Sequence, residues 1–157
     1  MMNQYYRLAM LLLVVGFTSC QSKEDEIDTQ PPVIDMAFAD AFPQQCEVLQ
    51  RGETYSIVAL FTDNFQLGSY SLDIHHNFDH HTHSTDVIEC ERQPSKIPVN
   101  PWLIIEGHEI PSGQRHYQVS LPLSVPTDVD TGDYHLMIKL TDKEGWQTIK
   151  GISISIR

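Results

Sequence analysis

Five of the eight histidines fall within nine residues, in the stretch "LDIHHNFDHHTHSTD" from Leu72 to Asp86. Imidazole is the commonest protein ligand for transition metals, and zinc or copper sites need three or four donors that converge on one ion. Residues two apart point the same way in an extended chain, so an H-x-H pair supplies two donors together. The stretch therefore predicts a transition-metal site. Its histidines are His75, His76, His80, His81 and His83.

Two acidic side chains accompany these histidines. Asp79 is either a further ligand or a hydrogen-bond partner that orients an imidazole, and Asp73 is suited to the second of these roles. Two other interpretations stay open: polar filler in an exposed loop, and a patch that gains charge in mild acid. Metal binding is expected to weaken as the pH falls through about 6, because a protonated imidazole cannot ligate.

The sequence that follows residue 32 has the pattern of an all-β domain. Short segments rich in β-branched and aromatic residues alternate with turn signals, and strong helical periodicity is absent. Asp130, Gly132 and Tyr134 form a D-x-G-x-Y motif that resembles the tyrosine corner at the start of strand F in immunoglobulin-like domains. We therefore predict an immunoglobulin-like antiparallel β-sandwich of about seven strands. The predicted strands are Val33–Phe38, Thr54–Thr62, Gly68–His75, Trp102–Glu106, His116–Leu121, Gly132–Thr141 and Gln147–Ile156.

This topology brings a distant histidine to the cluster. If Gly68–His75 is strand C, it pairs antiparallel with strand F, so its end lies beside the start of Gly132–Thr141. The period of two then places His75 and His135 on one outer sheet face. The predicted metal ligands are His75, His81, His83 and His135, with Asp79 as a fifth ligand or an orienting partner. Zinc is the favoured ion and copper the next.

Cys46 and Cys90 are the cysteines that follow Cys20. In an oxidising compartment such a pair predicts a disulfide, and the alternative is two thiolate metal ligands. The disulfide would close a loop of about 45 residues, worth about 4 kcal/mol in the chain-entropy model. It would also limit the motion of the histidine-rich loop, which then loses less entropy on binding.

The first residues resemble an export signal. Arg7 precedes an apolar run of about ten residues, too short to span a bilayer as a mature helix. "FTSC" then resembles the lipobox of bacterial lipoproteins, in which Cys20 would be lipidated, and an ordinary secretory signal is the alternative. We expect a signal peptide over residues 1–19, a flexible acidic tether over 20–32 and the domain over 33–157.

The charge pattern bears on location and partners. The run "KEDE" behind Cys20 resembles the export signal of Bacteroidetes surface lipoproteins, which predicts an outer-membrane lipoprotein on the cell surface, with a periplasm-facing one as the alternative. Removing the leader removes Arg7, so the formal charge goes from −11 to −12. An acidic surface repels phosphates and argues against nucleic acid. Membrane contact is expected through the lipid anchor only.

Catalytic motifs are missing from the sequence. There is no G-x-S-x-G, P-loop, dinucleotide fingerprint or H-E-x-x-H helix, and no paired-carboxylate constellation. Superoxide dismutases also place H-x-H on a sandwich, but the rest of that pattern is absent. We therefore predict a protein that is not an enzyme. His108 and His116 are interpreted as ordinary surface residues.

The tracts "LGSYSLDIHHNFDHHTHS" and "GDYHLMIKLTDKEGW", together with the leader, resemble the domain of unknown function 4625 family of Bacteroidetes lipoproteins. The most specific part is I-H-x-N-F-D-x-H-x-H, in which His76 and His80 fall on variable positions and therefore rank below the others. The resemblance implies an immunoglobulin-like lipoprotein with a histidine site, and it names no metal. The matching residues are Ile74, His75, Asn77, Phe78, Asp79, His81 and His83, with Asp133, Tyr134 and His135.

The leading functional hypothesis is a lipid-anchored surface module that binds a transition metal for capture or delivery. Its expected partners are the metal ion and a surface transporter or other surface protein. The alternative is a non-catalytic module that recognises a glycan or a protein at the cell surface. Trp102 and Trp146 are interpreted as packing residues rather than as a sugar-stacking platform.

Overall fold

The computed structural model describes residues 27–157, so the predicted signal peptide, the lipidation site Cys20 and the "KEDE" run lie outside the described residues. The described chain forms strands and no α-helix, which confirms the all-β prediction. None of its residues belongs to a helix long and apolar enough to cross a membrane. The strands are β1 Val33–Asp35, β2 Glu47–Leu49, β3 Thr54–Thr62, β4 Leu67–His76, β5 Ile104–Glu109, β6 His116–Ser124, β7 Gly132–Asp142 and β8 Gln147–Ile156.

The strands form two sheets, one with the order β1-β3-β6 and the other with the order β2-β8-β7-β4-β5. All pairs are antiparallel except β2 with β8, which is parallel. The predicted antiparallel β-sandwich is confirmed, and the short parallel pair at one sheet edge is an addition that was not predicted. At three residues, β2 is too short to show an alternating pattern in the sequence, and no strand was predicted there.

The core lies between the two sheets and follows the predicted alternation. In β4, Tyr70, Leu72 and Ile74 are buried, and in β7 the residues 134, 136, 138 and 140 are buried. Ile57 and Phe61 of β3 face them from the other sheet, in the same cluster. Trp102 is also buried, as expected for a packing residue, whereas the side chain of Trp146 is 46% exposed.

The tyrosine corner is present. The Tyr134 hydroxyl donates to the Asp130 carbonyl at 2.7 Å and accepts from the Trp102 backbone N–H at 3.2 Å. Burial raises the pKa of Tyr134, so the hydroxyl keeps its proton and remains a donor. This bridge ties the start of β7 to the segment that precedes β5.

The segment before β1 already packs on the sandwich. The Asp28 side chain is buried, and its main-chain carbonyl accepts from the Trp146 indole at 3.2 Å. The Thr148 hydroxyl donates to the Pro32 carbonyl. The tether was expected to run to residue 32, and Asp28 and Pro32 within it contact the domain.

Replacing Tyr134 by Phe tests the corner. We expect the free energy of unfolding to fall by about 1–3 kcal/mol, because the buried Trp102 N–H loses its acceptor. The matched control is Tyr117→Phe, since the Tyr117 hydroxyl makes no hydrogen bond within the described residues. Urea denaturation compares the two variants, and equal effects would contradict the role of the corner.

Candidate metal centre

The pairing of β4 with β7 sets the base of the site. In its register His75 lies opposite His135, at the end of β4 and near the start of β7. Their neighbours Ile74 and Leu136 point into the core, so both imidazoles lie on the outer face of the five-stranded sheet. The predicted juxtaposition of these two histidines is confirmed.

Residues 77–90, which we call the histidine loop, fold back over this outer face. Thr85 exchanges hydrogen bonds with Gly151 of β8: its N–H donates to the Gly151 carbonyl at 3.1 Å, and its Oγ1 accepts from the Gly151 N–H at 3.1 Å. A Cβ on Gly151 would lie 1.9 Å from the His83 carbonyl oxygen, so the loop can approach only a glycine here. This cover leaves His135 only 2% exposed, although it points away from the core.

The far end of the loop is fastened to the chain around β2. The predicted disulfide between Cys46 and Cys90 is present, with a Cα–Cα distance of 5.4 Å. Next to it, the Gln45 amide donates to Ser84 Oγ at 3.2 Å and to the Ile88 carbonyl at 2.8 Å. The loop is therefore held at both ends, which limits the conformations it must lose to bind an ion.

Four imidazole rings meet under the loop. The centroids of His75, His81, His83 and His135 are separated by 4.8 to 5.7 Å in all six pairs, so they stand at the corners of an irregular tetrahedron. One ring nitrogen from each of His75, His81 and His83 lies within 4.8 Å of the others. Tetrahedral zinc separates its nitrogen donors by roughly 3.3 Å. Small rotations of the three rings would therefore bring their nitrogens to one ion. Of the three histidines, His83 is exposed to solvent.

Carboxylates orient two of these rings. Asp73 Oδ1 lies 2.6 Å from His75 Nδ1, and Asp79 Oδ1 lies 2.5 Å from His81 Nδ1. An ionised carboxylate only accepts, so each Nδ1 carries the proton and each Nε2 keeps its lone pair for a metal. His75 Nε2 is buried and has no hydrogen-bond partner. The hydrogen bond from His81 lowers the pKa of Asp79. The position of Asp79 on His81 Nδ1 matches the orienting role among its two predicted roles.

His135 lies beside the three converging nitrogens rather than among them. Its Nε2 lies 3.2 Å from the His81 carbonyl, and its Nδ1 is buried without a partner. Burial, which is the largest cause, and the three neighbouring histidines together lower the pKa of His135 to about 4, against the raising effect of the His81 carbonyl. The ring is therefore neutral near pH 7, as ligation requires. Its predicted role as a fourth ligand stays a prediction.

A protein-family model matches almost the whole length of the chain. The chain belongs to the family described as domain of unknown function DUF4625, which matches residues 18–157. No curated protein matches it.

Two solved structures illustrate what this DUF4625 domain is similar to. The GspB Siglec domain is 23% identical, with a TM-score of 0.44, and the match covers 83% of this chain and 59% of that one. A mutant of the SrpA adhesin from Streptococcus sanguinis is 17% identical, with a TM-score of 0.44 and coverage of 83% and 56%. The chain thus spans less than two thirds of the length of either protein.

The remaining histidines of the DUF4625 domain lie outside the cluster. His80 is bound through Nε2 to the Gln93 carbonyl at 2.8 Å and through Nδ1 to Ser95 Oγ at 3.3 Å. His76 stacks on Phe78 at 4.8 Å between ring centroids. Both histidines were ranked below the others as candidate metal ligands, and both lie outside the cluster. His108 stacks on Tyr70 at 4.9 Å, away from the cluster.

A second group of candidate ligands escaped the sequence analysis. Asp28, Asp63 and Asp142 are all buried, and one carboxylate oxygen from each lies within 4.8 Å of the others. The available signal was an aspartate directly after a predicted strand, in "TDN" at 62–64 and "TDK" at 141–143. Because these residues are far apart in the chain, only the fold shows that they converge.

The pKa of His135 predicts a pH dependence of stability in the metal-free protein. Its folded value of about 4 lies below the unfolded value of about 6.5, so folding favours the neutral ring. The stabilisation is complete above pH 6.5 and is lost as the pH falls toward 4, by on the order of 3 kcal/mol. Histidine ring NMR in the presence of a chelator gives the titration midpoint. Urea denaturation at about pH 7 and 4.5 gives the stability.

The control for this titration is His135→Gln, which removes the group that titrates. The variant should lose less stability than the parent between the same two pH values. An equal loss in both proteins, or a His135 midpoint near 6.5, would contradict the assignment.

Proposed function

We propose that the domain binds one transition-metal ion through His75, His81 and His83, with His135 beside them as the fourth candidate ligand. The observation that carries the proposal is the convergence of three ring nitrogens within 4.8 Å of one another. The carboxylates that bind His75 and His81 support it, because they leave the Nε2 atom of each ring free to donate its lone pair to a metal. The Nε2 atom of His75 is also buried and has no hydrogen-bond partner.

Zinc is the ion that we propose first. Three imidazoles in an irregular arrangement suit zinc, which has no geometric preference from its d electrons, and copper is next. Met137 lies on the outer face of β7 near Gly151, but one thioether does not make a cuprous site. The set contains no thiolate, because both described cysteines are joined in the disulfide.

The exposure of the ligands suggests how an ion enters and leaves. His83 is exposed, whereas His75 and His81 are partly buried, so the ion reaches the site from the His83 side. A chain with a net charge of −11 raises the local concentration of cations. We propose that the domain captures or delivers metal without catalysis, as a lipoprotein anchored through Cys20 at the outer cell surface. A surface transporter or another surface protein would be its partner.

Elemental analysis of the purified chain, made without a polyhistidine tag, tests the proposal. After loading and dialysis we expect about one zinc per chain, and none in the His81→Ala/His83→Ala variant. The matched control is His116→Ala, which removes an exposed imidazole from β6 in the other sheet and should keep the ion. Asp79→Ala should weaken zinc binding roughly 10- to 100-fold, because it removes the acceptor that orients His81.

The affinity should also fall as the pH drops through about 6, because protonation of the imidazoles competes with the ion. An affinity that stays flat from about pH 7.5 to 5 would contradict imidazole ligation. Absence of bound zinc and copper in the loaded parent would contradict the metal site itself.

A second candidate function is recognition of a protein or glycan at the cell surface. It is favoured by apolar side chains exposed before and on the edge strand β5. Leu103 and Ile105 are 63% and 72% exposed, and Ile97 and Val99 are 86% and 88% exposed. An edge strand with apolar side chains is a common docking surface for another chain. Trp102 is buried and unsuited to stacking on a sugar, which leaves Trp146.

This alternative predicts binding that does not depend on metal. Ligand or cell-surface binding should survive a chelator, and it should fall at least about tenfold in Leu103→Glu/Ile105→Glu for a protein or in Trp146→Ala for a glycan. Surface plasmon resonance against candidate surface proteins and a glycan array measure the two cases. Binding that is lost in His81→Ala/His83→Ala instead would assign recognition to the metal site.

A further inference from the structure

Three buried aspartates meet at the end of the sandwich opposite the histidines. Asp63 follows β3 of the three-stranded sheet, Asp142 ends β7 of the five-stranded sheet, and Asp28 lies on the segment before β1. Their exposed fractions are 8%, 4% and 5%. One carboxylate oxygen from each lies within 4.8 Å of the others. The group therefore joins three separate parts of the chain.

The Oδ1 atom of each aspartate has a local role. Asp28 Oδ1 accepts from the Gln30 N–H and from the Asn64 side-chain amide, at 3.0 and 2.9 Å. Asp63 Oδ1 accepts from the Phe65 N–H at 2.8 Å. Asp142 Oδ1 accepts from two backbone N–H groups of the following turn, at 2.7 and 2.8 Å. These bonds stabilise turns, and they provide hydrogen-bond partners for one of the two oxygens of each carboxylate.

The other oxygen of each carboxylate, Oδ2, has no such role. Each is buried and lacks a hydrogen-bond partner. Among residues 27–157 no lysine, arginine or histidine forms an ion pair with any of the three aspartates. The hydrogen bonds from Gln30 and Asn64 lower the pKa of Asp28, which favours its ionised form. Buried like charges without a counter-ion are strongly unfavourable, so a cation is the missing partner.

We propose that Asp28, Asp63 and Asp142 bind a calcium ion. Their donors are oxygens only, which selects a hard cation. Calcium–oxygen bonds of about 2.3–2.6 Å place ligand oxygens up to roughly 5.2 Å apart, which accommodates separations within 4.8 Å. Magnesium keeps several of its waters and is usually bound through one or two carboxylates, so a group of three carboxylates suits calcium better. Water and nearby carbonyls would complete the coordination.

The ion would attach the segment before β1, through Asp28, to both sheets. Asp28 is held otherwise by its hydrogen bond with Asn64 and by the contact of its carbonyl with Trp146. Calcium adds bonds from this segment to β3 and β7 at once. Calcium therefore strengthens the attachment of residues 27–35 to the sandwich, and we expect it to act in the concentration range of extracellular calcium modules, about 10⁻⁴–10⁻³ M.

Terbium luminescence gives a direct probe of the purified, tag-free chain. Tb³⁺ occupies calcium sites and emits when an indole close by is excited, and the Trp146 N–H groups contact Asp28 and Asp142. We expect emission that saturates, that calcium displaces, and that Asp142→Asn reduces at least about tenfold. The matched control is Asp40→Asn, which removes an exposed carboxylate in a turn after β1.

Thermal unfolding provides a second readout, in which calcium reverses the order of the melting temperatures of the parent and Asp142→Asn. In a chelator, Asp142→Asn should melt at the same temperature as the parent or above it, because one of three repelling charges is removed. With calcium at about 100 times its Kd, the parent should gain roughly 5–10 °C and the variant little, so the order reverses. Calcium should also slow proteolysis within residues 27–35 in the parent.

Failure of this inference is distinguishable from failure of the zinc site. The His81→Ala/His83→Ala variant should keep its calcium response, and Asp142→Asn should keep its zinc. Terbium emission that calcium does not displace would overturn the calcium site. So would equal melting temperatures for the parent with and without calcium.

Discussion

The antiparallel pairing of β4 with β7 is the constraint on which the rest of the structure depends. It brings His75 opposite His135 at one end and Leu67 opposite Asp142 at the other. Because side chains alternate between the faces of a strand, a shift of one residue would turn the core residues outward and the histidines inward. The buried side chains Leu72, Ile74 and Leu136 fix the register. The apolar core thus determines where the two candidate sites form.

Apart from Phe78, which packs in the core, the cover over the histidines depends on covalent, polar and close backbone contacts. The loop is held by the disulfide, by the Gln45 amide and by the close approach to Gly151. Gly151 has no positive backbone angle, so the requirement for glycine there is steric. This cover also turns His135 from an exposed residue into a buried neutral one. The chemistry of the ring is therefore set by a loop that is distant in sequence, with His81 lying 54 residues from His135.

Much of this arrangement could be predicted from local patterns. Alternation assigned the faces of β4 and β7, and the D-x-G-x-Y motif marked the corner at Tyr134, so His75 and His135 could be placed together. Other features depend on contacts between distant segments. The parallel pairing of β2 is too short to leave a pattern, and the two hydrogen bonds that hold His80 away from the cluster depend on where residues 93–95 pass. Convergence of Asp28, Asp63 and Asp142 needs both sheets in place.

The two candidate sites differ in donor chemistry in a way that separates their ions. Imidazole nitrogens favour zinc or copper, whereas carboxylate oxygens favour calcium, so neither ion competes strongly for the other site. About eight residues of β4 lie between them, roughly 26 Å, a distance at which surface charges are largely screened at physiological salt. The sites can therefore fill independently. An ion at the aspartates would hold the segment by which the chain enters the domain, and the histidines at the opposite end would remain accessible to solvent through His83.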